Sequence, residues 1–113
     1  MLVLARGAEA YEFTSKDELH GAALEWVNNP SNAEAMYGHI SGWNTSLITD
    51  MSYLFCGYSL WADRGCDPAY ANFNEDIGAW QTGAVTTMES MFNSASSFNQ
   101  DIGAWQTSAV TST

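Results

Sequence analysis

Two cysteines and two histidines are the side chains of this sequence best suited to nucleophilic or metal chemistry. A thiol hydrolase needs a Cys beside a His that takes its proton, so the pairs to weigh are Cys56 or Cys66 with His20 or His39. None of the four lies in a recognisable catalytic motif. His20 follows an apolar helical face, and His39 takes a position that later becomes Asp76 and Asp101, so packing or surface roles are preferred and a thiol hydrolase is only a distant alternative. The spacings Cys-x9-Cys and His-x18-His lack the short pairs that close a tetrahedral zinc site. Asp63-Arg-Gly-Cys-Asp67 lacks the ligand spacing of a calcium loop. Gly-rich phosphate loops are absent, so the sequence implies no enzyme, no metal and no cofactor. The simplest use of Cys56 and Cys66 is a disulfide that closes a short loop; two free thiols in a cytosolic protein are the alternative.

Composition narrows the partners. The 113 residues are 46% apolar and 14% charged, which suits one folded domain or a piece of a longer repetitive protein rather than a solvated tail. Thirteen acids against three bases (Arg6, Lys16, Arg64) give a net charge of -10, which repels nucleic-acid phosphates and anionic head groups. No apolar run approaches the ~20 residues that span a bilayer. Met1 to Ala5 is apolar and Ala8-Glu9-Ala10 reads like a small-x-small cleavage site, so residues 1–10 are either a leader or the remnant of a signal segment. Asn44-Thr45-Ser46 is a glycosylation sequon with Asn44 as the acceptor.

The strongest signal is a repeat. Phe73–Thr87 and Phe98–Ser112 are 25 residues apart and identical at twelve of fifteen positions. An earlier, diverged copy lies 37 residues before the middle one: Ile40, Trp43, Thr45, Ile48, Met51 and Phe55 align with Ile77, Trp80, Thr82, Val85, Met88 and Phe92. The difference of twelve places an insertion after Phe55, in the stretch that holds both cysteines, and such an insertion maps to a surface loop. Within a unit, Val85, Met88, Met91 and Phe92 recur at helical spacing behind a Thr86-Thr-Met-Glu89 capping box, which predicts a short helix. Asp76-Ile77-Gly78 reads as a two- or three-residue strand that pairs in parallel with its neighbours. Ahead of the repeats, Ser15-Lys-Asp-Glu18 caps a helix with Leu19, Ala22, Ala23, Trp26 and Val27 on one face. That helix ends near Asn29-Pro30 and covers the first unit. The predicted organisation is a helical cap over 11–35 and repeats over 36–113: coils at 36–72 with the insertion, 73–97, and an incomplete 98–113. The sequence reads as the N-terminal part of a longer array.

The unit Phe-Asn-x-Asp-Ile-x-x-Trp-x-Thr-x-x-Val-Thr-x-Met-x-x-Met-Phe resembles the repeat of the BspA-like leucine-rich-repeat surface proteins. Trp80-Gln-Thr82, Val85-Thr-Thr-Met88 and Met91-Phe92 carry the resemblance over about residues 36–113. It implies an α+β repeat solenoid of leucine-rich-repeat-like coils, each with one short parallel strand and one short helix, behind an N-terminal capping helix. It also implies a secreted or cell-surface protein used for adhesion or recognition, with a protein or glycan partner. A purely structural spacer is the alternative.

Strand alternation then nominates a surface. His39, Asp76 and Asp101 form one outward column, Ser41, Gly78 and Gly103 a shallow floor, and strict alternation adds Trp43, Trp80 and Trp105. Acids and indole plates together suit a sugar, and Asp76 with Asp101 would alternatively hold a cation between them. Burial is nevertheless the preferred reading for the tryptophans: a strand this short ends before them, and a repeated Trp then forms a core ladder at a turn, with outward plates as the alternative.

Overall fold

The computed structural model describes residues 10–113, so the leader reading of residues 1–10 lies, apart from Ala10, outside the described residues. Two α-helices open the chain. α1 spans Lys16–Asn28, and its N-cap Ser15 accepts a hydrogen bond from the Glu18 N–H, which satisfies one of the orphan donors of the first turn. The Glu18 carboxylate turns outward from the cap to take the Tyr11 hydroxyl and the Thr14 N–H, and these bonds hold its pKa below the usual carboxylate value. Leu19, Ala22, Ala23 and Trp26 of α1 face the core. Asn29 ends α1 and begins α2, Pro30–Tyr37, with Pro30 in the first turn. The helical cap expected over 11–35 thus holds two helices where one ending near Asn29-Pro30 was expected; proline blocks a continuing helix but is favoured at the start of a new one.

Residues 40–113 overturn the expected α+β leucine-rich-repeat solenoid. Among the described residues there is no strand and no sheet, and the parallel pairing is reduced to the isolated bridges Glu12–Asn44, Asp50–Thr87 and Thr87–Ser112. Nor does a helix form over Val85–Phe92. Each unit is instead a succession of tight turns in which a carbonyl accepts from the N–H three residues on: Ile77 to Trp80, Thr82 to Val85, and Met88 to Met91 in the middle unit. The first unit repeats this with Ile40 to Trp43, Thr45 to Ile48 and Met51 to Leu54. These turns start five or six residues apart and crowd together after Met88, where Ser90 and Phe92 each open another; Val85, Met88, Met91 and Phe92 therefore fall at steps that a helix would also give, which is why the periodicity misled. The backbone also breaks helical continuity directly. Tyr53 and Ser90, equivalent in the two units, have φ of 61° and 52°, a left-handed conformation that no right-handed helix contains. The predicted strand Asp76-Ile77-Gly78 is a turn as well, and its counterpart His39-Ile40-Ser41 caps and enters the 3₁₀ turn Ile40–Gly42.

The units lie side by side and are tied by side chains. The Trp80 indole N–H donates to the Ile40 carbonyl at 2.8 Å, and the Trp105 indole N–H to the Ile77 carbonyl at 3.0 Å. Thr45 and Thr82 hydroxyls donate to the Gln81 and Gln106 carbonyls. Stacked rings fill the space between: Phe55 on Phe73 at 4.3 Å and Phe92 on Phe98 at 4.4 Å. The interior is thus an aromatic stack with turns around it. Gly78 shows how close the units come, since a Cβ there would lie 2.6 Å from the Asp101 carbonyl oxygen.

Candidate recognition surface

Cys56 and Cys66 are bonded to each other, with Cα atoms 4.7 Å apart. Neither sulfur is therefore available as a thiolate nucleophile or metal ligand. The loop they close is folded internally: the Cys56 carbonyl accepts from the Asp67 N–H and the Trp61 carbonyl from the Cys66 N–H, while Ala62–Arg64 forms a 3₁₀ turn that ends on Gly65 at φ +88°. α1 fixes the loop from below. The His20 ring is so close to Gly65 that a Cβ on that glycine would lie 2.0 Å from His20 Cε1.

On the outer side the loop carries bulky side chains with no place in the core. Leu60 is 75% exposed, and Trp61 meets Tyr58 edge-on at 4.8 Å and Tyr53 at 6.1 Å. The Arg64 guanidinium stands 4.7 Å over the Trp61 ring and 5.9 Å from the Tyr53 ring, a cation–π arrangement that holds an exposed arginine in place. Beside them a depression of about 400 Å³ is lined by Lys16, Asp17, His20, Tyr53, Asp63, Arg64 and Gly65, so two carboxylates stand among its cations. Lys16 is held there by Asp50 at 3.5 Å and by the Ser52 hydroxyl at 3.0 Å. Burial raises the Asp50 carboxyl, but the Ser52 hydroxyl and N–H together with Lys16 outweigh it, leaving its pKa below the usual value. In a chain of net charge -10, the two described basic residues, Lys16 and Arg64, share this single depression.

His20 makes this region pH-sensitive. Burial lowers its pKa below 6.5, and Lys16 adds to this, against a hydrogen bond to the Gly65 backbone and the Asp17 charge, which act the other way. The folded state therefore holds a neutral ring more readily than the unfolded chain does, so its stabilising contribution is complete above pH 6.5 and is lost as pH falls toward the lower folded value. Urea midpoints at about pH 7.5 and about pH 5.5 should show the protein weaker at the lower pH, with His20→Gln removing most of the difference. An equal drop in the variant would assign it to other groups. The neighbouring Tyr70 ring, 6.5 Å from His20 and fully buried, has a hydroxyl with no hydrogen-bond partner among the described residues. Burial, with the Asp67 charge, raises its pKa well above the ordinary phenol value.

The surface nominated by strand alternation is rearranged. Trp43, Trp80 and Trp105 are 3%, 3% and 9% exposed, so no indole plates face a ligand. They are core because each indole N–H finds a backbone carbonyl inside, Gly38 for Trp43 and the preceding unit for the other two. Asp76, Asp101 and His39 are exposed, and each caps its own turn: Asp76 and Asp101 Oδ1 accept from the Gly78 and Gly103 N–H at 3.0 and 2.8 Å, and His39 Nδ1 accepts from the Ser41 N–H at 3.2 Å. Asn44 is half-buried, with its side-chain oxygen on the Ser46 N–H and its backbone paired to Tyr11 and Phe13. Among the described residues no three His, Cys, Asp or Glu side chains converge as a metal site, and no helix is long and apolar enough to cross a membrane. Sequence reasoning missed Tyr53, Leu60, Trp61 and Arg64. The available signal was that Tyr58, Leu60 and Trp61 sit in the insertion, outside every repeated apolar position.

Residues 25–113 match the family model described as Mycoplasma protein of unknown function, DUF285. No curated protein and no solved structure matches the chain. The match corrects the resemblance to BspA-like leucine-rich-repeat surface proteins, as the strandless turns correct the fold and solenoid reading that came with it. By a match over most of its length, the chain belongs to the DUF285 family.

Proposed function

We propose that this protein is a non-enzymatic recognition module, secreted or held at a cell surface, that grips a protein or glycan partner with the 56–66 loop. The observation that carries the reading is the exposed Leu60 beside Trp61, with Arg64 fixed over the indole. Tyr, Trp and Arg offer large contact area at low cost in side-chain freedom, and they dominate binding energy where they cluster. The disulfide supports the location, since such bonds persist in oxidising compartments. The -10 charge disfavours nucleic acid as the partner. The spacer alternative has no use for an exposed leucine and a fixed arginine on a disulfide-closed loop.

Protein and glycan arrays probed with the native chain and with a Leu60→Ser, Trp61→Ala, Arg64→Ser variant test the reading. At least one partner of the native chain should lose about tenfold or more in affinity, the equivalent of ~1.4 kcal/mol, while the thermal midpoint is unchanged. No bound partner, or one retained in full by the variant, would leave the spacer as the better description.

A further inference from the structure

The charges around the depression beside the disulfide loop restrict what can enter it. Lys16, Asp17, Asp63 and Arg64 all line it, and among the described residues only Lys16 has an ion-pair or hydrogen-bond partner, in Asp50 at 3.5 Å and the Ser52 hydroxyl at 3.0 Å. Arg64 is held in another way. Its guanidinium lies 4.7 Å over the Trp61 ring and 5.9 Å from the Tyr53 ring, contacts that orient the group and leave its N–H donors unused. A planar fork held by rings is pre-organised for a carboxylate, which it takes with two parallel hydrogen bonds.

The same contacts argue against a sugar. A pyranose stacks on an open indole face, whereas Trp61 has the guanidinium over its ring and the Tyr58 and Tyr53 rings nearly perpendicular to it at 4.8 and 6.1 Å. Leu60, next to Trp61 and 75% exposed, offers an alkyl contact and no group for a hydroxyl to bond. A run of negative charge does not fit either, since Asp17 and Asp63 repel any acid beyond the one that Arg64 accepts. At physiological ionic strength charges beyond about 8 Å are screened, so these lining groups weigh more at the site than the distant acids of the chain.

We infer that the partner gripped by the 56–66 loop is a protein, and that it presents one Asp or Glu side chain to the Arg64 guanidinium with an apolar side chain beside it against Leu60. The inference rests on the loop reading above and narrows it to one class of partner.

The test screens the native chain, disulfide intact, against a display library of random linear peptides and against a glycan array that includes uronate- and sialate-bearing oligosaccharides. The peptides recovered should share a single Asp or Glu next to an apolar residue. Arg64→Glu should weaken them about tenfold or more, and a selection on that variant should recover peptides with Lys or Arg in place of the acid. Arg64→Lys, which keeps the charge without the planar fork, should retain only part of the affinity. Both variants should keep the native thermal midpoint, because Arg64 is exposed. Peptides with no acid in common, or with affinity unmoved by Arg64→Glu, overturn the inference, as do glycans bound in the absence of any peptide. The loop reading survives each of those results if Trp61→Ala still abolishes binding. A chain that binds neither library also overturns the inference, and it takes the loop reading with it only if the protein arrays above are blank as well.

Discussion

Replacing Ile77 by aspartate is expected to abolish the cooperative thermal transition of this protein. The side chain is 0% exposed, and its backbone carbonyl receives both the Trp80 N–H and the Trp105 indole N–H, so the residue sits at the junction between the second and third units. A carboxylate there loses its hydration with no positive charge at hand. The described basic residues, Lys16 and Arg64, line the depression beside the disulfide loop. Desolvating an unpaired charge costs several kcal/mol even after it takes up a proton, and a domain of this size holds only about 5–15 kcal/mol in total. Ile77→Val, which trims one methylene at the same place, should cost about 1 kcal/mol and melt cooperatively. Circular dichroism melts of the two variants check the pair. A native-like transition for Ile77→Asp would mean that the junction opens to water and is not core.

Trp80→Ala carries the second large effect, about 3–5 kcal/mol by the usual cost of truncating a buried aromatic. Trp80 is 3% exposed, stacks on Trp43 at 6.2 Å, leans on Phe55 at 5.8 Å and donates its indole N–H to the Ile40 carbonyl. Truncation removes the ring that joins the first and second units and leaves a cavity that turns fixed by their own hydrogen bonds cannot collapse into. Trp80→Phe separates the two contributions: most of the ring area stays while the indole donor is lost, at about 1–2 kcal/mol. Trp105 is the internal comparison. It has the same bond, to Ile77, but is 9% exposed at the edge, so Trp105→Ala should cost measurably less than Trp80→Ala. Urea midpoints of the three variants rank them, and equal losses for Trp80→Ala and Trp105→Ala would contradict a stack that is closed in the middle and open at its end.

Much of what positions the candidate surface was readable from residue type and spacing. The 25- and 37-residue offsets identify which positions are equivalent, and Ile40 and Ile77, with Trp43 and Trp80, sit at those positions in the core. Ser15 as a cap and the apolar face behind it locate α1. The insertion and its cysteines mark where the chain departs from the pattern. These features are legible because a repeated apolar position has to be buried against its neighbour, and a cap is a local bond between residues three apart.

The conformation inside each unit was decided only in three dimensions. Tight turns and a short helix both bring an apolar side chain inward every three or four residues, so Val85, Met88, Met91 and Phe92 fit either; positive φ at Tyr53 and Ser90 selects the turns, and nothing in a Tyr or a Ser announces it. The fate of the tryptophans was equally non-local, because burying an indole is favourable only where its N–H meets a carbonyl, and those carbonyls belong to residues 40 and 28 positions away for Trp80 and Trp105. The recognition surface follows the same rule. Tyr53, Arg64 and Lys16 are separated in sequence and come together because the disulfide draws the loop back over α1, where the Arg64 guanidinium rests on Trp61. Sequence alone determined which residues must be inside and where the chain is capped and closed. Tertiary contacts decided which backbone delivers them and which bulky side chains remain outside, because those outcomes depend on partners that spacing along the chain does not specify.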